Sequence, residues 1–414
     1  MVTANNIKNI CIISDNFIPA KISAAGMIYN LAKEFKKNNY KITCVYGGYS
    51  YHEILSNSVT SEVKILQNMQ LINSSAFISL RKGGNFKRFL YEILLSVILF
   101  FKVLLLINKM RVDLVIWYGP SSLLWPVVLL IKFFSKAKVY YILRDIFPDC
   151  LADLGIIKSK FLFNFLKIVS LPQYLVPDVI GVETEKNQKH LLSKNLTTKR
   201  VEVLNNWPSL RDNVKIKKEL TVFNSYLKKN KKNVQGLYIG NTSVAHDLKT
   251  AKKWLYDYCK DLDMSVNLNF FTSEQKIKSD KKTKLSITEK YWGQVNDYFL
   301  PNIIKNINFG IVTLNSKLIT QNIPGKFVSY IQFGVPVLCF VNKDSSLSEI
   351  VNKNKCGLII DLKDNFIDNK NKINKFLRIV SLKDNLYSKN AKQLFVNEFN
   401  TRLISNSIID SINK

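Results

Sequence analysis

Residues 323–338 read Ile323-Pro324-Gly325-Lys326-Phe327-Val328-Ser329-Tyr330-Ile331-Gln332-Phe333-Gly334-Val335-Pro336-Val337-Leu338. Pro324 and Gly325 open a short helix, Gly334 closes it, and Val335-Pro336-Val337 begins an apolar strand. Lys326 falls in the first helical turn, where the helix dipole favours acidic side chains over cations. A lysine held there makes sense if it meets an anion that the helix end also attracts. The plain alternative is a solvated surface lysine.

Outward from this segment, residues 309–314, 335–340 and 357–360 read as buried strands, as do residues 236–239 and 268–271 upstream. The N-terminal half shows the same alternation, with strands at 10–13, 42–45, 112–117, 139–143, 179–182 and 201–204. Helical patterns lie between them, the first from about residue 24 to 38. Strands spaced by helices in this way predict parallel sheets with crossover connections. A chain of 414 residues also exceeds what one core holds. The expected fold class is α/β, with two Rossmann-like doubly wound domains. We expect an N-terminal domain over 1–210 and a lysine-rich linker over 211–233. A second domain over 234–385 and closing helices over 386–414, packing back on the first domain, complete the expected layout.

Lys and Arg number 60 against 31 Asp and Glu, a formal charge of +29, and hydrophobic residues make up 47%. That apolar content excludes a disordered chain. The six cysteines form no CxxC-type pair and only three histidines occur, so no metal site and no cofactor are expected. The most apolar stretch, residues 93–107 (ILLSVILFFKVLLLI), carries Lys102 and follows Glu92. It is shorter than the roughly 20 residues a bilayer span needs. Lys82, Lys87 and Arg88 precede it and Lys109 and Arg111 follow, so it is expected to lie on an anionic membrane surface rather than cross it.

Three further segments carry candidate chemistry. Ala24, Ala25 and Gly26 open a helix after the first strand, where small side chains would let an anionic ligand approach the backbone, or simply form an ordinary strand-to-helix turn. The segment Arg144-Asp145-Ile146-Phe147-Pro148-Asp149 follows a strand at the end where open α/β sheets bind ligands. There Asp145 could accept a proton or orient a sugar, or it and Asp149 could cap a helix. Gly240-Asn241 ends another strand in a position suited to phosphate.

The run PGKFVSYIQFGVPVLCF resembles the pattern P-S-K-L-x-E-Y-x-x-x-G-x-P-V of the retaining nucleotide-sugar glycosyltransferases of family four. The segments NICIISDNFIPA, RDIFPD, VEVLNNWP, LYIGN, WGQV and SEIVNKNKCGLII follow that family's order, so the resemblance extends from about residue 8 to 362. It looks closest to the subgroup that adds amino-deoxy sugars such as N-acetylfucosamine in bacterial surface-polysaccharide assembly. The resemblance implies the GT-B fold, two Rossmann-like domains facing each other across a cleft. It also implies an acceptor-binding first domain and a donor-binding second domain.

By the same resemblance, Lys326 meets the donor diphosphate, with Gly240 and Asn241 in the loop beside it. Pro324, Gly325, Ser329 and Tyr330 belong to the same donor segment, and Gly293 to Val295 lie near the nucleotide base. Asp145 lies near the transferred sugar. The family's two glutamates, eight positions apart, are replaced by Gln321 and Ser329, and no arginine follows Gly240. Glu349 matches a non-catalytic family glutamate. The implied substrates are a nucleotide-diphosphate sugar, UDP-linked, and a polyprenyl-diphosphate-linked saccharide. The implied location is the cytoplasmic face of the plasma membrane. Two other classes fit parts of the sequence: a catalytically silent GT-B partner protein, from the missing glutamates, and a basic nucleic-acid-binding protein, from the charge. The scatter of lysines over both halves, without a recognisable nucleic-acid motif, argues against the latter.

Overall fold

The computed structural model describes residues 7–20, 22–58, 60–81, 83–119, 122–153, 155–210, 219–240, 242, 246–260, 262–272, 287–295, 297–315, 322–382 and 384–414. The chain forms two compact units, the first of residues 1–209 with 401–414 and the second of residues 210–400.

The first unit is built on seven strands: β1 Asn9–Ser14, β2 Lys41–Gly47, β3 Gln70–Ser74, β4 Leu114–Tyr118, β5 Lys138–Leu143, β6 Val179–Val182 and β7 Arg200–Val203. They pair in parallel in the order β3-β2-β1-β4-β5-β6-β7. Side chains alternate across a strand, and here both faces are covered, which is why β1 is apolar from Ile10 to Ile13. Ile10 and Ile12 join one core with the helix Ser23–Lys37 and with Ile404 and Ile408 of the last helix, Thr401–Asn413. Cys11 and Ile13 join the opposite core with helices Asn85–Leu106 and Trp125–Ser135.

The helix Asn85–Leu106 is longer than the sequence pattern indicates. It runs for 22 residues, and with the turn that follows it is long and apolar enough, by length and composition, to cross a membrane. Its stripe Tyr91, Leu95, Leu99 and Val103 is nevertheless packed into the sheet core at the i, i+4 spacing of one helix face. Crossing a bilayer would require stripping that face from the sheet.

The second unit has six strands: β8 Val234–Ile239, β9 Val266–Phe271, β10 Ile287–Tyr291, β11 Phe309–Thr313, β12 Val337–Phe340 and β13 Gly357–Ile360. They too are all parallel, in the order β10-β9-β8-β11-β12-β13. The edge strands β3 and β10 escape the sequence reading because they face solvent on one side and carry polar residues such as Gln70, Asn73, Glu289 and Lys290.

Two expected boundaries shift. The 211–233 stretch is not simply a linker, because its helix Glu219–Lys229 belongs to the second unit. Phe223 is buried there and packs edge-on against Phe271 and Trp292 at 5.3 and 5.1 Å between ring centroids. The 386–414 segment is divided: Leu386–Leu394 stays in the second unit through Ala391 and Leu394, and only the last helix joins the first.

The loop before the first helix serves the fold rather than standing open. Ala25 is fully buried, and a Cβ on Gly26 would lie 2.0 Å from the Ser209 carbonyl oxygen. The segment 206–209 is sewn to this helix by Trp207 Nε1, which donates to the Met27 carbonyl at 2.8 Å, and by Asn30 Nδ2, which donates to the Pro208 carbonyl at 2.9 Å. The small residues at 24–26 therefore admit the chain's own backbone, which corrects the reading of Ala24, Ala25 and Gly26 as room for a ligand. Gly26→Ala forces two backbones apart and is expected to cost about 1–3 kcal/mol. A urea titration checks this: the midpoint falls while the slope stays unchanged.

Candidate functional site

In the second sheet the chain starts at β8, winds through β9 to β10, and then returns to place β11 on the other side of β8. Such a switch in direction leaves a crevice at the carboxyl ends of the two strands, where open α/β sheets hold ligands. The pairing of β8 with β11 stops after Phe309↔Gly236 and Gly310↔Leu237, whereas β8 stays paired with β9 as far as Ile239↔Phe271.

Tyr330, on the helix Gly325–Gln332, takes over where that pairing ends. Its hydroxyl donates to the Leu237 carbonyl at 2.9 Å and accepts from the Ile239 N–H at 3.2 Å. The ring fits because residue 310 is glycine, where a Cβ would lie 2.3 Å from a Tyr330 ring carbon. Tyr330 is fully buried, so it fixes the helix to β8 rather than contacting a ligand, a correction to its assignment as a donor-binding side chain. Ser329 is corrected likewise: it is buried, and its hydroxyl donates to the Gly325 carbonyl at 3.1 Å.

Lys326 precedes Tyr330 by one turn and so lies on the same helix face. The residue as a whole is partly exposed, but its Nζ is closed off from solvent and has no hydrogen-bond partner among the described residues. It sits 3.8 Å from the centroid of the Tyr238 ring, a cation–π contact. Burial pushes its ammonium down to about 7. Beside it, His246 Nδ1 lies 3.3 Å from the Thr313 carbonyl oxygen at the end of β11. Burial first, and then the charge of Lys326, hold this imidazole down at about 4, so it is neutral at pH 7. Thr313 Oγ1 is a second buried polar atom without a partner.

The surrounding backbone suits an anion. Pro324 caps the helix without a side-chain hydrogen bond to its first N–H groups, and Gly325 follows it. An unfilled helix N-terminus attracts negative charge. Gly240 leaves β8 with φ +102°, a conformation that a side chain would strain, and a Cβ there would meet open space. Its neighbour Asn241 and the more distant Gln321 lie outside the described residues. Gly293, exposed at φ +72°, and Val295, partly buried, follow the edge strand β10 two places from β8. Tyr238, His246 and Thr313 were missed by the sequence reading. A histidine six residues beyond Gly240 is the one signal that could have raised them.

In the first unit Asp145 follows β5 and is partly exposed. Its neighbour Arg144 is the buried group. It donates through Nη1 to Glu183 Oε1 at 2.9 Å and stacks over Trp207 at 4.5 Å and Tyr118 at 5.6 Å. Asp149 begins a short helix and is engaged by Lys194 and His190, a structural use. Among the described residues no three His, Cys, Asp or Glu side chains come together as a metal-binding group.

No protein-family model and no curated protein matches the chain. Solved structures do. A TarM mutant of S. aureus, in complex with fondaparinux, α-GlcNAc-glycerol and UDP, is 12% identical with a TM-score of 0.63, covering 98% of this chain and 100% of that one. Anabaena HepE in complex with UDP and glucose is 11% identical with a TM-score of 0.61, over 98% and 99% of the two chains. Sucrose-phosphate synthase from Thermosynechococcus elongatus is 11% identical with a TM-score of 0.63, over 98% of each chain. The likeness spans both units and establishes the fold: an α/β chain of two Rossmann-like domains, in the GT-B class.

The unpaired ammonium makes a pH prediction. The folded pKa of Lys326, about 7, lies below that of an unfolded lysine at 10.5. Between these values the unfolded chain binds more protons, so this group's contribution to stability rises with pH. Lys326→Met removes the cost of the buried charge. It is therefore expected to be more stable than the parent chain at pH 7, with the gap closing toward pH 10. Thermal melts of both proteins across that range check the sign.

Proposed function

We propose that the chain is a glycosyltransferase that holds the diphosphate of a nucleotide sugar at the ends of β8 and β11. The observation that carries this reading is the buried, partnerless Lys326 ammonium beside an uncapped helix N-terminus. A buried charge without a counter-ion is costly, and an anionic ligand supplies the missing partner. The UDP in the TarM and HepE complexes makes UDP the first nucleotide to test.

In the proposed reaction the bond between sugar and diphosphate breaks and negative charge grows on the leaving group. Lys326 and the N–H groups of Gly325 and its neighbours stabilise that charge, more strongly as it develops in a water-poor site. Neutral His246 adds no positive charge beside Lys326. Asp145 is carried forward from the family resemblance as the polar group near the transferred sugar. The same resemblance supports retention of anomeric configuration, an amino-deoxy sugar, and a polyprenyl-diphosphate-linked acceptor in bacterial surface-polysaccharide assembly at the cytoplasmic face of the membrane.

One observation favours a binding protein without turnover. Ser329, in the place of a family glutamate, directs its hydroxyl to its own helix carbonyl. Binding and catalysis therefore need separate measurements.

UDP at a hundredfold excess over its Kd is expected to stabilise the parent chain by about 2.7 kcal/mol. In Lys326→Met the loss of a charge-assisted contact lowers UDP affinity by about 1.5–3 kcal/mol while the apo protein stays folded. Equal UDP affinity in the two proteins overturns the site. Asp145→Asn is expected to lower kcat and kcat/KM together with donor affinity unchanged. Hydrolysis of UDP-sugars by the parent chain, followed over time, is the assay; UDP binding with no turnover toward sugar donors selects the silent reading.

A further inference from the structure

The helix Asn85–Leu106 is apolar on both sides. Opposite its core stripe runs a second one, Phe86, Leu90, Ile93, Val97, Phe101 and Leu104, at the 3–4 residue spacing of a single face, and every member is exposed. Phe86 is 78% exposed, and Leu105 beside the stripe 82%. The helix Trp125–Ser135 packs against it in the same layer over the sheet and exposes Phe133 at 77%. The helix Lys160–Ser170 lies against the turn Ser122–Leu124 that leads into Trp125–Ser135. Of its eleven residues only Leu166 and Ser170 are buried, while Phe161 is 83% and Ile168 71% exposed, with Phe165 between them. Single exposed apolar residues are ordinary, but large side chains aligned along three neighbouring helices mark a docking surface.

The charge along these helices is predominantly positive, although Lys132 is paired with Asp178 and Asp145, Asp149 and Asp153 lie in the connection between the second and third helices. Residues 120–144 and 155–177 contain no Asp or Glu, and residues 75–112 contain only Glu92. Glu92 is paired with Arg88 at 3.4 Å. Exposed Lys87, Lys109, Arg111, Lys158, Lys160 and Lys167 flank the apolar side chains. A second copy of the chain, docked face to face, would bring like charges together. An anionic lipid surface meets both features at once, taking apolar side chains among its acyl chains and lysines among its headgroups.

We infer that the first unit docks on an anionic bilayer surface through the outer faces of these three helices, with Lys160–Ser170 as the element that enters the leaflet. This extends the sequence expectation from residues 93–107 to a helix that the sequence reading passed over. The docking does not depend on the transferase reading, because it is measured without nucleotide sugar.

The test is flotation of the full chain with vesicles of phosphatidylcholine alone or mixed with phosphatidylglycerol, at low and high salt. Binding to the anionic vesicles at low salt, weaker on the neutral ones and reduced by salt, is expected. Phe161→Ser with Ile168→Ser, both on the exposed face, is expected to lower partitioning at least about tenfold with unchanged melting temperature and UDP stabilisation. Charge reversal at Lys160 and Lys167 is expected to remove the preference for anionic vesicles. Equal flotation of the serine variant, or no flotation of a folded, monodisperse parent chain, overturns the inference. Lipid-free dimerisation abolished by the serine pair would assign the surface to a second copy instead, and resistance to carbonate extraction would replace docking with insertion.

Discussion

The Tyr330 hydroxyl bridges two backbone groups of β8 that the neighbouring strand does not reach, and the candidate site of the second unit depends on that bridge. Parallel strands that part company leave N–H and C=O groups buried without partners, each a penalty of about 1–3 kcal/mol. Here one phenol satisfies the Leu237 carbonyl and the Ile239 N–H together. Because it does so from a helix, the same bridge fixes how far the helix N-terminus stands from the end of β8. Gly310 completes the device, since the Tyr330 ring occupies the place of a side chain there.

With the helix pinned, Lys326 has little choice. One turn before Tyr330, it is directed over the Tyr238 ring, where its ammonium finds a π face but no hydrogen-bond acceptor. The aromatic face offsets part of the lost hydration and leaves the donors of the ammonium free. His246 is kept neutral in the same surroundings, so it adds no positive charge beside Lys326. A buried ammonium without a counter-ion is costly, and an anion would relieve that cost. The first unit also buries a cation, Arg144, which is paired through Nη1 with Glu183 and stacked on Trp207, while its Nε and Nη2 have no hydrogen-bond partner among the described residues.

Local sequence determined much of the architecture. Apolar runs of four to six residues between helical patterns mark most central strands, because a parallel strand covered on both faces has little polar side to show; β9, with buried Asn267 and Asn269, departs from this. The helix around Lys326 was legible from Pro324, Gly325 and Gly334, and the lysine stood out by opposing the helix dipole. Gly240 was legible as a strand-end glycine. In each case the signal lies within a few residues of the feature it marks.

Tertiary structure decided what those residues touch. Gly26 and Tyr330 both looked like ligand contacts, yet the first admits Ser209 and the second serves β8, partners far away in the chain. The helix Glu219–Lys229, set in a lysine-rich, linker-like stretch of sequence, owes its place to Phe223 lodging among Phe271 and Trp292. The helix Lys160–Ser170 carries ordinary helical apolar spacing, and only the folded chain shows that its apolar face points outward. Periodicity reveals that a face is apolar, because it follows from the local helix geometry. What covers that face is set by chain topology, which brings together residues that no local pattern connects.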